Sequence, residues 1–306
     1  MKAVVTGGAG FIGSHLVDEL IKNYFEVHII DNLSAGGIKN IHPMAIFHEI
    51  DIRSKDAKEI INRERPDIVF HLAAQADVGI SIRYPNLDAG VNINGTINIL
   101  EACRESDVKK VIFASTSAVY GDFRTDQLLE SDPTVPISFY GLSKLSAESY
   151  FHLFHHLYGL SFTILRYGNV YGPRQSAKGE GGVVAVFLDR IKNGEPLMIY
   201  GDGEQTRDFI YVKDIVQANM AAIDNGHQDI FNISTAKTTS INQLVSYLNK
   251  IHGSAIDSKN TSGRIGDIKH SCLNNQKAIQ KLGWRPVFNI YQGLEDTYKY
   301  IMGSGS

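Results

Sequence analysis

The chain reads as an α/β protein: a doubly wound parallel sheet followed by a second, smaller α/β lobe. Three observations predict this. Short, continuously apolar runs alternate with longer amphipathic segments over residues 1–170, the pattern of strands buried on both faces beneath covering helices. Four glycines lie between Gly7 and Gly13, where the first apolar run passes into a helical pattern. Beyond Tyr171-Gly172-Pro173-Arg174 the rhythm loosens, which marks a change of architecture.

The predicted strands of the first part are Ala3–Thr6, Val27–Ile30, Ile46–Ile50, Ile68–Leu72, Lys110–Ala114 and Phe162–Leu165. Each is short, apolar and rich in β-branched residues. Between them, Phe11–Asn23, Asp56–Glu64, Asp88–Ser106 and Ser138–Tyr158 carry the apolar spacing of helices. In residues 171–302 a glycine turn at Gly179-Glu180-Gly181-Gly182 leads into a helix near Val183–Lys192. Short strands follow around Leu197–Tyr200 and Phe209–Val212, with helices near Ile215–Ile223, Ile241–Ile251 and Asn274–Leu282. This second lobe is expected to interleave partly with the first. Residues 303–306 read as a flexible Gly-Ser tail.

Composition narrows the function. At 43% hydrophobic, 306 residues can bury a large core. The net charge of −3, without a basic block, argues against a nucleic-acid binder. No apolar run approaches the roughly 20 residues needed to span a bilayer, so no membrane partner is expected. Two cysteines, Cys103 and Cys272, are too few for a disulfide framework or a zinc site. They fit a reducing, cytoplasmic setting, and no metal is expected.

Gly7, Gly10 and Gly13 follow a strand and open a helix, with the spacing that a pyrophosphate-binding turn needs. One glycine makes the tight turn, one lets the backbone approach the ligand, and one lets helix and strand pack closely. The helix N-terminus adds N–H donors and a positive dipole end. Asp31 ends the second predicted strand, 24 residues after Gly7, where a carboxylate meets the adenosine ribose hydroxyls. Asn32-Leu33-Ser34 supplies no arginine for a 2′-phosphate, which favours NAD over NADP. Asp51-Ile52, after the third strand, either meets the adenine or caps a helix. This is the dinucleotide-binding, Rossmann-type pattern.

Tyr140 and Lys144, four apart on a predicted helix, share one face. A phenol is a poor base at its free pKa of about 10. A neighbouring ammonium, and a cationic nicotinamide, favour the phenolate. Ser115 to Ala118 follow the fifth strand at the carboxyl edge of the sheet, where ligands of such folds bind. A hydroxyl there either relays a substrate proton or closes a turn.

These features together resemble the extended short-chain dehydrogenase/reductase family, and within it the nucleotide-sugar epimerase branch typified by the UDP-glucose 4-epimerases. The resemblance spans nearly the whole chain. It rests on "GGAGFIG" from Gly7, "DNLS" from Asp31, "DIR" from Asp51, "HLAAQ" from His71, "NINGT" from Asn92 and "STSAVYG" from Ser115. Further on it rests on "YGLSK" from Tyr140, "RYGNVYGP" from Arg166, "RDFIYVKD" from Arg207 and "LGW" from Leu282.

The resemblance implies NAD as cofactor and a UDP-sugar as substrate. It implies Tyr140 as acid/base, Lys144 as its modulator and nicotinamide-ribose ligand, and Thr116 as the catalytic hydroxyl. Gly7, Gly10, Phe11, Ile12, Gly13, Asp31, Asn32, Asp51, Ile52, Ala73, Ala74, Asn92, Ser115, Tyr140, Lys144 and Tyr167 would line the NAD site. Asn169 would face the sugar nucleotide, with Gly182 and Val183 near its base and phosphates and Met198 and Tyr200 flanking the uracil. Arg207 and Arg264 would clamp the diphosphate, with Asp267 on a ribose. A homodimer through a four-helix bundle of Asp88–Ser106 and Ser138–Tyr158 is also implied.

The implied reaction is 4-epimerisation of a UDP-hexose through a transient 4-keto sugar. A 4,6-dehydratase would carry an Asp-Glu pair after the threonine, whereas Ser117-Ala118 stand there. Epimerisation or decarboxylation of a UDP-uronic acid stays open, as does a non-enzymatic, NAD-holding regulator. Ser271, small and at the position that walls the sugar C2 substituent in the family, implies room for an N-acetyl group.

Overall fold

The computed structural model describes residues 1–122, 126–178, 182–262 and 269–303. The first half runs β1 (Lys2–Thr6), α1 (Phe11–Lys22), β2 (Glu26–Asp31), β3 (Ile46–Glu49), α2 (Lys55–Glu64), β4 (Ile68–His71), α3 (Val78–Arg83), α4 (Pro85–Ala89), α5 (Gly95–Glu105), β5 (Lys110–Thr116), α6 (Phe139–Tyr158) and β6 (Phe162–Tyr167). The second half runs β7 (Asn169–Tyr171), α7 (Val183–Lys192), β8 (Leu197–Tyr200), β9 (Thr206–Arg207), β10 (Phe209–Tyr211), α8 (Val212–Ala221), β11 (Asp229–Ile233), β12 (Thr239–Ser240), α9 (Ile241–His252), β13 (Ser258–Thr261), α10 (Gln276–Leu282) and α11 (Ile290–Gly303).

Among the described residues, seven strands form one parallel sheet in the order β3-β2-β1-β4-β5-β6-β11. Strand order reverses beside β1, and this switch point opens the crevice in which doubly wound sheets bind ligands. Alternate side chains feed two cores. Val5, Ile29, Phe70, Ile112 and Leu165 pack under α1, α8 and α10. Val4, Ile30, Val69, Val111 and Phe113 pack under α2, α5 and α6. A third core, around Phe187, Leu197, Tyr211 and Leu244, belongs to the second lobe, with Phe11 and Ile12 of α1 packed against it.

Several elements differ from the sequence reading. The helix expected over Asp88–Ser106 begins at Pro85 and contains a π turn, Gly90–Asn94, before α5. Pro85 is favourable at a first helical position, where its missing N–H costs nothing. The seventh strand of the sheet, β11, is not among the predicted strands; its "DIFNI" is short and interrupted by Asp229 and Asn232, and parallel pairing with β6 decides it. Helix α11 was also unforeseen. Gly293 lowers its intrinsic propensity, yet a Cβ there would lie 2.8 Å from Tyr171 Cζ, so the glycine admits that ring. Helix α11 takes in Gly303, which the sequence reading places in the tail; residues 304–306 lie outside the described residues. Among the described residues no helix is long and apolar enough to cross a membrane.

Candidate active site

The glycine turn joins β1 to α1 at the switch point. Gly7 has φ +72°, and a Cβ on it would lie 2.7 Å from the Ala73 nitrogen. A Cβ on Gly13 would overlap the Gly7 carbonyl oxygen and sit 2.9 Å from Gly8 Cα. Gly10 is the N-cap of α1 and makes no side-chain cap bond. The backbone of the turn thus packs too closely for side chains at Gly7 and Gly13, and it leads into the first turn of α1, whose N–H groups suit a pyrophosphate. Asp31 closes the turn from β2: it accepts from Ala9 N at 3.0 Å and Leu33 N at 2.8 Å. Burial raises its pKa, and these two backbone bonds oppose the rise.

Asn32 donates to Asp51 at 2.9 Å, and Arg53 chelates Asp51 from its Nε and Nη2. Chiefly through Arg53, the Asp51 carboxyl is held down at about 2. Helix α2 is capped by Ser54, not Asp51. The Ile52 side chain packs in the core against Gly95, where a Cβ would lie 2.6 Å from Ile52 Cδ1.

Beneath the turn runs a buried chain that the sequence reading missed, although "HLAAQ" was noticed. Ala73 N donates to Thr6 Oγ1 at 3.2 Å, which lies 2.7 Å from His71 Nδ1. His71 Nε2 is 3.0 Å from Thr96 Oγ1, which donates to Asn92 O at 2.6 Å. These directions assign His71 as a neutral Nε2–H tautomer. Burial first, and the Lys144 charge second, pull its pKa to about 3.

Asn92, 2% exposed, spends its amide on Gln75, Asp88 and Ser143. It thereby ties the π turn to α6 one residue before Lys144. Two other predicted cofactor contacts are turned inward. Ser115 Oγ donates to Glu148 at 2.5 Å, and the Tyr167 hydroxyl pairs with Asn219. Burial pushes the Tyr167 phenol upward. The side-chain polar groups of Asn92, Ser115 and Tyr167 are thus all engaged within the protein. Ala74 follows Ala73 in the same loop and is half-buried.

Tyr140 and Lys144 occupy the first two turns of α6, whose N-cap Ser138 accepts from Gly141 N at 3.1 Å. The positive end of the helix dipole favours an anion at Tyr140. Lys144 is buried, its ammonium 4.4 Å from the Phe113 ring centroid on β5. Gly141 lets α6 approach the turn after β5: a Cβ there would lie 2.5 Å from the Ala118 oxygen. Thr116 ends β5 at that turn, and its Oγ1 accepts from Ala118 N at 3.1 Å. Closing the turn uses Thr116 Oγ1 as an acceptor and leaves its hydroxyl proton to donate. Sequence spacing alone could not bring the turn after β5 against α6; Gly141 admits it.

Of the predicted substrate residues, Asn169 is exposed on β7, with its N–H on Asp208 O at 2.8 Å. Gly182 is the N-cap of α7, and Val183 is its first residue. Met198 and the exposed Tyr200 lie on β8. Arg207 on β9 donates from Nη1 to Thr206 O at 2.9 Å. Ser271 N bonds Thr206 O at 3.3 Å, which brings Ser271 beside β9 across 65 residues of sequence. Arg264 and Asp267, and residues 179–181 of the glycine turn, lie outside the described residues.

Comparison with known proteins agrees with this geometry. Residues 3–234 match the model of the NAD dependent epimerase/dehydratase family. A putative UDP-glucose 4-epimerase of Methanocaldococcus jannaschii is 44% identical over 97% of both chains. The crystal structure of a UDP-glucose 4-epimerase from Thermotoga maritima with UDP-glucose superposes with a TM-score of 0.97, at 45% identity and 99% coverage of both chains. A UDP-N-acetylglucosamine 4-epimerase from Methanobrevibacter ruminantium, in complex with UDP-N-acetylmuramic acid, gives a TM-score of 0.94 at 39% identity, covering 99% of this chain and 98% of that one. With the family model matched over residues 3–234 and such relatives along nearly the whole chain, the chain belongs to the NAD-dependent epimerase/dehydratase family, and NAD is its cofactor.

Proposed function

We propose that the protein inverts C4 of UDP-hexoses, interconverting UDP-glucose and UDP-galactose and their N-acetylated counterparts. The observation that carries this reading is the packing of Gly141, next to Tyr140 on α6, against the Ala118 carbonyl in the turn that follows Thr116, with Ser117-Ala118 supplying no carboxylate for dehydration chemistry. Gly7, Gly10, Phe11, Ile12, Gly13 and Asp31 would hold NAD, which would supply a hydride acceptor for C4 and then a donor to the opposite face. Tyr140 takes the C4 hydroxyl proton as phenolate, Thr116 bridging the two oxygens, and returns it after the keto sugar has turned over. Lys144 keeps the phenolate accessible. The test is incubation of the purified protein with UDP-glucose, UDP-N-acetylglucosamine and UDP-glucuronate, read by NMR for 4-epimers. Turnover of UDP-glucuronate alone would replace this reading with a uronic-acid one.

Arg207 and Arg264 are proposed to hold the diphosphate while the sugar turns, because planar guanidinium forks match phosphate oxygens. Replacing either with alanine is expected to weaken UDP binding by about 1.5–3 kcal/mol, the loss of a charged hydrogen bond. Calorimetry showing unchanged affinity in both variants would remove them from the site.

A homodimer through α4, α5 and α6 is also proposed. Leu142, Leu153 and Leu157 stand 48%, 50% and 56% exposed along α6, an apolar face that a monomer leaves in water. Sedimentation is expected to give a mass of two chains, and Leu153→Glu to reduce it to one. The cytoplasmic placement is retained on the grounds that Cys103 and Cys272 are both buried and unpaired.

A further inference from the structure

The reaction needs Thr116, on β5, and Tyr140 with Lys144, on α6, at a fixed separation. Apolar packing of Ala147, Phe151 and Phe154 holds α6 on the sheet, but hydrophobic contact is non-directional and does not set axial register. Glu148 supplies direction. It continues the series Tyr140, Lys144 at the next four-residue step, on the same side of the helix. Its carboxylate is 2% exposed. It accepts Arg166 Nε at 3.0 Å and Nη2 at 2.6 Å from β6, and Ser115 Oγ at 2.5 Å from β5. Ser115 immediately precedes Thr116. Arg166 is itself braced: its Nη1 donates to the Tyr120 hydroxyl at 2.9 Å, which donates to Asn232 on β11 at 2.8 Å. One buried carboxylate thus fastens the base-bearing helix to the strand that ends in Thr116, and through Arg166 to the next two strands.

We propose that Glu148 is a positioning residue for the epimerase reaction, setting the register of α6 so that Tyr140 and Lys144 stand correctly against Thr116. The proposal rests on the epimerase reading. Glu148 lies about 12 Å from Tyr140 along the axis, at 1.5 Å per residue, and the intervening helix passes on any shift. A displacement of about 1 Å at the reacting groups can cost on the order of 100-fold in rate. A merely structural ion pair behaves otherwise. Replacing both partners of a buried pair with apolar residues is often neutral, whereas removing one strands a buried charge.

The deciding variant is therefore the double substitution Glu148→Leu with Arg166→Met. It removes one negative and one positive charge together. Lys144 on α6 and the neutral His71 on β4 are left in place. The deciding readout needs no substrate: the Tyr140 phenol is titrated in the NAD-bound protein, by ultraviolet difference against the same chain carrying Tyr140→Phe. The double variant is expected to melt cooperatively and to titrate about one unit higher than wild type, as Lys144 is no longer held beside the phenol. Its kcat is expected to fall about tenfold or more at unchanged KM. Should the double variant not fold, Glu148→Asp keeps the charge pair but shortens the arm by one methylene, and the same upward displacement is expected. Coincident phenol titrations in wild type and in the folded variant overturn the proposal and leave Glu148 a structural residue. A displaced titration in a protein that turns over no UDP-sugar upholds the positioning role and counts against the epimerase reading instead.

Discussion

Tyr140→Phe is expected to lower turnover at least about 100-fold, at the lower end of what a general acid/base group contributes. The substitution removes one oxygen and keeps the ring, so the first turn of α6 and its Ser138 cap persist. NAD should stay bound, because the glycine turn, Asp31 and the Thr6–His71–Thr96 chain are untouched. The loss should appear in kcat, with substrate affinity little changed, since the missing proton transfer belongs to the transition state. Stopped-time NMR assays of the two purified proteins decide it. Activity within about tenfold of wild type would mean that Tyr140 is not the base.

Ser271→Tyr is expected to abolish conversion of UDP-N-acetylglucosamine while UDP-glucose and UDP-galactose continue to interconvert. The logic is exclusion by clash: a phenol ring would occupy the volume proposed for the N-acetyl group, and discrimination by repulsion needs no new attraction. The surroundings of Ser271 favour this over two simpler roles. Helix α10 begins at Gln276, beyond the Asn275 cap, so Ser271 does not start it. His270 is exposed and lies with Nδ1 3.0 Å from Thr206 Oγ1, engaged on β9. Two outcomes would show that Ser271 is no gate: a wild-type protein indifferent to the N-acetylated sugar, or a variant that still converts it at the original rate.

Strands β1–β6, β8 and β10 and most of the long helices were legible because burial on both sheet faces imposes uninterrupted apolar runs, and packing on one side imposes helical spacing. Among those that were not, besides the short β7, β9, β12 and β13, are β11 and α11. The first is specified by its partner β6, and the second tolerates Gly293 because Tyr171 fills the space beside it. Both are decided by neighbours distant in the chain. The π turn at Gly90–Asn94 was hidden for the same reason, since Asn92 is anchored by Gln75 and Ser143 from other elements.

The sequence by itself determined the parallel doubly wound class, the glycine turn between β1 and α1 with Asp31 at the end of β2, and the placing of Tyr140 and Lys144 on one helix. Each of these is local: a run, a spacing or a turn whose chemistry is complete within a few residues. Tertiary structure alone decided how such pieces meet. It set Gly141 against Ala118, so that the turn after Thr116 lies against the tyrosine helix. It drew Ser271 to β9 beside Arg207, and it gave the side chains of Ser115, Asn92 and Tyr167 the partners Glu148, Ser143 and Asn219. A strand or helix residue shows its face only once its element is docked, and a buried hydroxyl or amide must then take whatever partner that docking offers, since leaving it unpaired costs about 1–3 kcal/mol.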